Sequence, residues 1–178
     1  AQQWDISQEG KVYDFTISNT HVWQDGVPLT IDDVLYTFEI SKELASKYDY
    51  DTIGSPLVDV KIEKIGENKI RFTLPEINAT FFEAISVYII PKHKFDGVST
   101  RDIPFNAFAK YPVGSGPYEV YRSEPNVVYL KASDYYKKEL DVETIIYRLY
   151  STYEALEAAF RNGLLDAIGS TDEYSISY

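Results

Sequence analysis

Val22-Trp23-Gln24-Asp25-Gly26-Val27-Pro28-Leu29-Thr30-Ile31-Asp32-Asp33-Val34-Leu35-Tyr36-Thr37-Phe38 is the stretch whose reading decides the fold. Its first half reads as a hairpin. Val22-Trp23 and Val27-Pro28-Leu29 are short apolar arms, and Asp25-Gly26 between them supplies the positive φ that so tight a turn requires. The second half reads as a helix start. Thr30 stands at the N-cap with Asp33 three residues on, a weaker cousin of the capping box, and Asp32 and Asp33 occupy the first turn, where carboxylates suit the helix dipole. Ile31, Val34, Leu35, Phe38, Ile40 and Leu44 then recur at helical spacing and carry the helix to about Ala45.

Working outward, Trp4 and Ile6, a Glu9-Gly10 turn, and Val12, Phe15 and Ile17 read as an N-terminal hairpin. Lys47 to Pro56 reads as a loop. A second hairpin follows, with Val60 and Ile62 on one arm, Gly66-Glu67-Asn68 at the turn and Ile70, Phe72 and Leu74 on the other. Ala79 to Ile85 reads as a short helix, Val87 to Ile90 as a buried strand stopped by Pro91, and Lys92 to Tyr111 as short helical turns. Pro112-Val113-Gly114-Ser115-Gly116-Pro117 is the strongest punctuation in the chain, a place where the backbone turns sharply and holds one path. Beyond it come strands at Tyr118 to Arg122 and Val127 to Ala132 about a Glu124-Pro125-Asn126 turn. Thr144 to Tyr150 is then a strand, Thr152 to Asn162 a helix with Gly163 as its C-cap, and Leu164 to Ile168 a strand. Strand, helix and strand of that length imply a parallel crossover. The expectation is an α/β chain in α+β style, with mixed sheets, hairpins and one strand–helix–strand crossover. Its units are residues 1–112 and 113–178.

Composition narrows the function. Of 178 residues 44% are hydrophobic, enough for a core, and the net charge of −11 repels phosphate backbones, so nucleic acid is not expected as a partner. No apolar run is long enough to span a bilayer. Cysteine is absent, which removes disulfides and thiolate chemistry from the reading. Residue 1 is not Met, so the chain is expected to begin mid-protein or after processing, with any signal peptide or lipid anchor outside it.

Several of these stretches, in order, resemble those of the type-5 extracellular solute-binding proteins, the oligopeptide and dipeptide receptors of bacterial ABC importers. The run from Val22 to Phe38 is similar to that family's aromatic, Asp-Gly, Pro, hydrophobic, Thr and Asp-Val sequence ahead of an aromatic helix. Trp4 with Tyr13-Asp14-Phe15-Thr16 and Asn68 to Leu74 resemble its two hairpins. Pro112 to Tyr118 resembles its Pro-Val-Gly-Thr-Gly-Pro-Tyr, with Ser115 in place of Thr. Asp134-Tyr135-Tyr136 stands where the family has Asp-Tyr-Trp, and Ala159 to Asp166 resembles its closing Gly-acidic-Asp stretch. There are departures: Ala132-Ser133 replaces an Asn-Pro, and Gly163-Leu164-Leu165-Asp166 replaces Gly-Glu-Ile-Asp.

The resemblance implies a periplasmic-binding-protein type II-like fragment: a small lobe to about Pro112, then part of the hinge-bearing lobe, without the second ligand-covering lobe. It also implies a peptide or related small solute as ligand and a transporter permease as partner of the full-length protein. The location implied is periplasmic or extracellular, with lipoprotein tethering in some members. By the same resemblance Tyr48 and Tyr50, and Gly114, Ser115, Gly116 and Tyr118, are the candidate ligand contacts. Plain surface tyrosine and a structural turn stand against those assignments. Trp23, which could be a stacking platform, reads rather as core.

No catalytic, metal or cofactor site is expected. His21 and His93 stand far apart with no zinc-ligand spacing. Ser115 lacks the Gly-x-Ser-x-Gly elbow followed by a helix. Asp32 and Asp33, adjacent on a helix, diverge by about 100°. The alternative reading is a carbohydrate-active or peptidase enzyme of mixed α/β fold, which would need two carboxylates facing one cleft. The strands after Pro117 carry apolar content suited to cover on both faces, so the chain is also expected to self-associate through an exposed strand edge.

Overall fold

Alternation of apolar and polar residues builds the first sheet. β1 (Gln3–Ser7), β2 (Val12–Thr16), β3 (Lys61–Lys64) and β4 (Lys69–Thr73) pair antiparallel in the order β1-β2-β4-β3. The computed structural model describes residues 1–48 and 55–169. Register between β2 and β4 sets Tyr13 opposite Phe72 and Phe15 opposite Ile70, so that one face is aromatic and aliphatic. Between those pairs Asp14 faces Arg71, which donates from Nε and Nη2 to the two carboxylate oxygens at 2.7 and 2.6 Å. That bidentate bond from Arg71 holds the Asp14 carboxyl below its ordinary range.

Helix α1 (Ile31–Tyr48) lies against β3 and β4 and closes the apolar face. Ile31, Val34 and Phe38 meet Tyr13, Phe15, Ile70 and Phe72, and Leu57, Val60, Leu74 and Phe81 complete the core. Phe72 is its centre, with its ring edge-on to those of Phe15, Phe38 and Phe81 at 5.0–5.8 Å between centroids. The helix runs three residues past the expected Ala45. Lys47 pairs with Glu43 one turn earlier at 2.9 Å, a contact that favours the added residues. Helix α2 (Phe81–Ala84) is the short helix expected there, and Lys92 to Ala109 forms 3-10 turns.

The expected strand at Val87 to Ile90 does not form. Instead the extended segment docks on α1 through side-chain bonds. Thr37 Oγ1 accepts from the Ile90 amide at 3.0 Å, and Asp33 Oδ1 accepts from the Lys92 amide at 2.8 Å. Two residues of extended chain advance about 6.6 Å and four of helix about 6.0 Å, so the i,i+2 amides match an i,i+4 pair of acceptors. Asp33 Oδ2 takes the Thr30 amide at 2.8 Å and its hydroxyl at 3.2 Å, the carboxylate half of the expected cap. Apolar content alone suggested a ladder; the amides went to a helix instead.

A separate sheet follows the glycine-rich connection. β5 (Tyr118–Glu124), β6 (Val127–Ala132) and β7 (Thr144–Arg148) pair antiparallel in sequence order. Helix α3 (Tyr153–Arg161) starts with Thr152 Oγ1 accepting from the Ala155 amide at 3.2 Å. It ends in a Schellman motif: the Gly163 amide reaches Phe160 O, the Leu164 amide reaches Ala159 O, and Gly163 takes φ +71°. That ending corrects the expected crossover. Residues 164–168 form no strand, because the Leu164 amide is spent on the helix and no strand among the described residues takes the rest into a ladder. Both sheets are antiparallel throughout among the described residues. The α/β architecture with two sheets holds; the parallel pair within it does not.

Replacing Thr37 by Val leaves the part-buried Ile90 amide unpaired and is expected to cost about 1–2 kcal/mol; Asp33→Ala, which strands three donors, about 2–3 kcal/mol. The double variant should fall short of additivity because both side chains hold one segment. Urea unfolding checks this. Losses below about 0.5 kcal/mol for both would mean that the segment docks by apolar contact alone.

Candidate functional site

The quoted stretch forms the hairpin expected of it, and its tip is the point where the two sheets meet. The Trp23 amide bonds to Val27 O and the Gly26 amide to Trp23 O, each at 2.8 Å, and Val22 bridges to Pro28. Gly26 takes φ +87°, the left-handed position after the turn. The Gln24 side chain leaves the tip and enters the Pro112–Pro117 connection, ninety residues further on. Its Oε1 accepts from the Gly114 amide at 2.8 Å. Its Nε2 donates to Gly116 O at 3.0 Å and to Tyr118 O at 2.8 Å. The Gln24 backbone amide adds a bond to Gly114 O at 2.8 Å.

Close approach requires neither glycine of this connection. A Cβ at Gly114 would lie 3.4 Å from Gln24 Oε1, in ordinary contact with the amide, and a Cβ at Gly116 would meet nothing within 4 Å. The turn after β6 adds its aromatics to the joint. A Cβ on Gly26 would stand 2.8 Å from Tyr135 Oη, and Tyr136 Oη donates to Ser115 O at 3.4 Å. The Ser133 amide bonds to Pro117 O at 2.8 Å. Trp23 is 1% exposed, a core residue as expected, and its Nε1 has no protein partner.

Electrostatics buttress the same tip. Asp25 Oδ2 stands 2.8 Å from both His93 Nε2 and Lys94 Nζ, and Oδ1 accepts from the Val27 amide at 3.3 Å. Desolvation pushes the Asp25 carboxyl up, but the hydrogen bonds from Lys94, His93 and Val27 outweigh it and hold the carboxyl at about 2. Since Lys92 is bonded to Asp33, the Lys92–Lys94 turn ties the hairpin tip to the N-terminal end of α1.

The candidate contacts divide. Gly114, Ser115, Gly116 and Tyr118 are brought together around Gln24, where the Gly114 amide and the Gly116 and Tyr118 carbonyls bond to it; Tyr118 Oη donates to Val142 O at 2.8 Å. Tyr48, 39% exposed, closes α1 at the far end, fifteen helical residues or about 22 Å from Asp33. Tyr50 lies outside the described residues. Sequence reasoning missed Gln24, Asp25 and His93 as a connected set, since no spacing signals contacts made across 68 and 90 residues. A hollow of about 600 Å³ lies elsewhere, between the first sheet, α1 and residues 85–89. Trp4, Phe15, Phe38, Phe72 and Phe82 line it with few polar groups, which does not suit a peptide backbone.

Residues 1–177 match the bacterial extracellular solute-binding proteins, family 5 Middle. A Brucella melitensis protein described as a binding protein is 33% identical over 178 residues, covering 93% of this chain and 28% of its own length. Di/tripeptide-binding protein 3 of Pseudomonas aeruginosa is 25% identical over 169 residues, covering 84% and 32%. The solved structure of the oligopeptide-binding protein AppA from Bacillus subtilis, in complex with a nonapeptide, is 29% identical. It superposes with a TM-score of 0.79 over 92% of this chain and 33% of that one. The chain thus spans under a third of the length of the curated relatives it matches.

Asp25 gives the tip a pH signature. A carboxyl whose folded value lies below the ordinary 3.8 adds stability that is fully present above about pH 5 and lost as pH falls through about 2. Asp25→Asn should therefore be less stable than the unsubstituted chain at pH 6, by on the order of 1–2 kcal/mol after allowance for solvent screening. The gap should close between pH 4 and pH 2. Denaturant midpoints across that range test it, and a gap independent of pH would refute the assignment.

Proposed function

We propose that this chain, which belongs to family 5 of the bacterial extracellular solute-binding proteins, forms two parts of the peptide receptor of an ABC importer. In this reading residues 1–112 are the small lobe and 113–178 part of the hinge-bearing lobe. The observation that carries it is the family match along residues 1–177. Peptide as ligand is supported by relatives named for di- and tripeptides and by the AppA–nonapeptide complex. The relatives are binding proteins, and we read this chain as binding without catalysis. Asp14, Asp25 and Asp33, the carboxylates most drawn into the fold, each bond to groups of the chain itself.

Within the receptor, Gly114, Ser115, Gly116 and Tyr118 are proposed as the floor of the ligand cleft, with Tyr48 and Tyr50 on the small lobe's wall. The permease of the importer is the partner of the whole receptor. The family is extracellular by description, and among the described residues no helix is long and apolar enough to cross a membrane. We place the protein in the periplasm or on the outer face of the membrane, where a lipid anchor would tether it.

A cleft binds by enclosing its ligand and desolvating the polar contacts. One wall without closure forfeits several kcal/mol of contact. Calorimetric titration of a family-length polypeptide carrying these 178 residues should show micromolar or tighter binding of peptides between two and nine residues. The 178-residue chain alone should bind them at least about 100-fold more weakly. Binding of a sugar or a metal chelate with no peptide affinity would overturn the peptide reading; tight binding by the short chain would displace the site.

The isolated chain is also proposed to self-associate along β7. Leu149 donates to Asn126 and Glu143 accepts from Ala132, so odd-numbered groups face β6, and those of Thr144, Ile146 and Arg148 face outward. Two-fold pairing centred on Ile146 sets Ile145 against Tyr147 and Arg148 against Thr144, with no like charges opposed. Sedimentation should show a dimer that Ile146→Lys abolishes; a monomer across all concentrations would count against it.

A further inference from the structure

The geometry points to Gln24 as a positioning residue that turns the Pro112–Pro117 connection into a rigid joint, so that the β1–β4 sheet with α1 and the β5–β7 sheet move as one body. A glycine-rich connection between two sheets is by default a place of relative motion. Here both ends of one primary amide are matched to the connection: Oε1 to the Gly114 amide, and both hydrogens of Nε2 to the Gly116 and Tyr118 carbonyls. With the Gln24 amide bonded to Gly114 O, the hairpin tip holds residues 114, 116 and 118 in succession. Rotation about any backbone bond of that stretch breaks at least one of these contacts.

Two further contacts block the remaining freedom. Tyr135 Oη stands over Gly26 on one side of the tip, and Asp25 is fixed on the other by His93 and Lys94, which belong to the turn anchored on Asp33. The joint is therefore held from both units. Wherever ligand enclosure pivots in the full receptor, it pivots outside residues 112–117. The inference needs only the joint's geometry and stands whether or not the ligand is a peptide.

The chain has no cysteine, so spin labels on Glu67→Cys, at the tip of the β3–β4 turn, and Asn126→Cys, exposed at the tip of the β5–β6 turn, report the distance between the two sheets. Without any ligand, pulsed dipolar spectroscopy of the labelled chain should give one narrow distance distribution. In Gln24→Leu it should broaden by about twofold or more, because all three side-chain bonds are lost, while circular dichroism keeps the strand and helix signals. Should Gln24→Leu fail to fold, Gln24→Glu decides. Its carboxylate keeps the Gly114 amide but faces two carbonyls, so the distribution should be broad at pH 7 and narrow again on protonation, when one O–H can donate. A broad distribution in the labelled parent, or a narrow one in both Gln24 variants at pH 7, would overturn the inference.

Discussion

One primary amide, that of Gln24, is the constraint on which the arrangement of this molecule depends. It crosses from a hairpin tip in the first unit to a backbone stretch at the start of the second, and it leaves none of its donor capacity unused. An amide suits the task because it presents an acceptor and a two-donor group in one plane. Neither a carboxylate nor an ammonium offers both.

The two units differ in what holds them together, and this makes the joint matter. The first has a closed core in which Phe15, Phe38, Phe72 and Phe81 meet edge-on beneath α1. Burial of such side chains is worth about 1.5–3 kcal/mol each, and the ring geometry adds to it. The second has little of the kind. No residue of β5, β6 or β7 is fully buried, and Tyr121, Ile146 and Tyr147 are each close to half exposed. Apolar strands left half covered are suited to accept further layers. The orientation of the second sheet therefore rests less on shared core than on polar contacts at the seam, from Gln24, Tyr135, Tyr136 and Ser133.

The same economy appears at α1. Thr37 and Asp33 use side-chain oxygens one helical turn apart to receive amides two residues apart on an extended segment, so the helix takes the place of a strand neighbour. Asp33 also closes the N-terminus of the helix, and Lys92 leads directly to the pair that clasps Asp25. Cap, docked segment and hairpin tip form one continuous polar path from the first helix to the seam, and the family's cleft residues are proposed at its end.

Local physics decided much of this in the sequence alone. Asp25-Gly26 between apolar arms could only be a hairpin of that hand, Thr30 to Asp33 could only begin a helix, and the alternation of Ile70, Phe72 and Leu74 could only face a core. Family membership was legible for the same reason, because turns and caps demand particular residues at short range. What the sequence could not decide is where backbone groups with no local partner would go. Val87 to Ile90 and Leu164 to Ile168 carry strand-like content, yet a strand exists only through its neighbour; one segment found α1 and the other spent its first amide on the end of α3. Gln24 is the extreme case. Its partners are ninety or more residues away, and their positions are fixed only when two sheets, a helix and a turn have all been placed. Short-range stereochemistry is written residue by residue; a contact that depends on the closure of long loops exists only in the folded molecule.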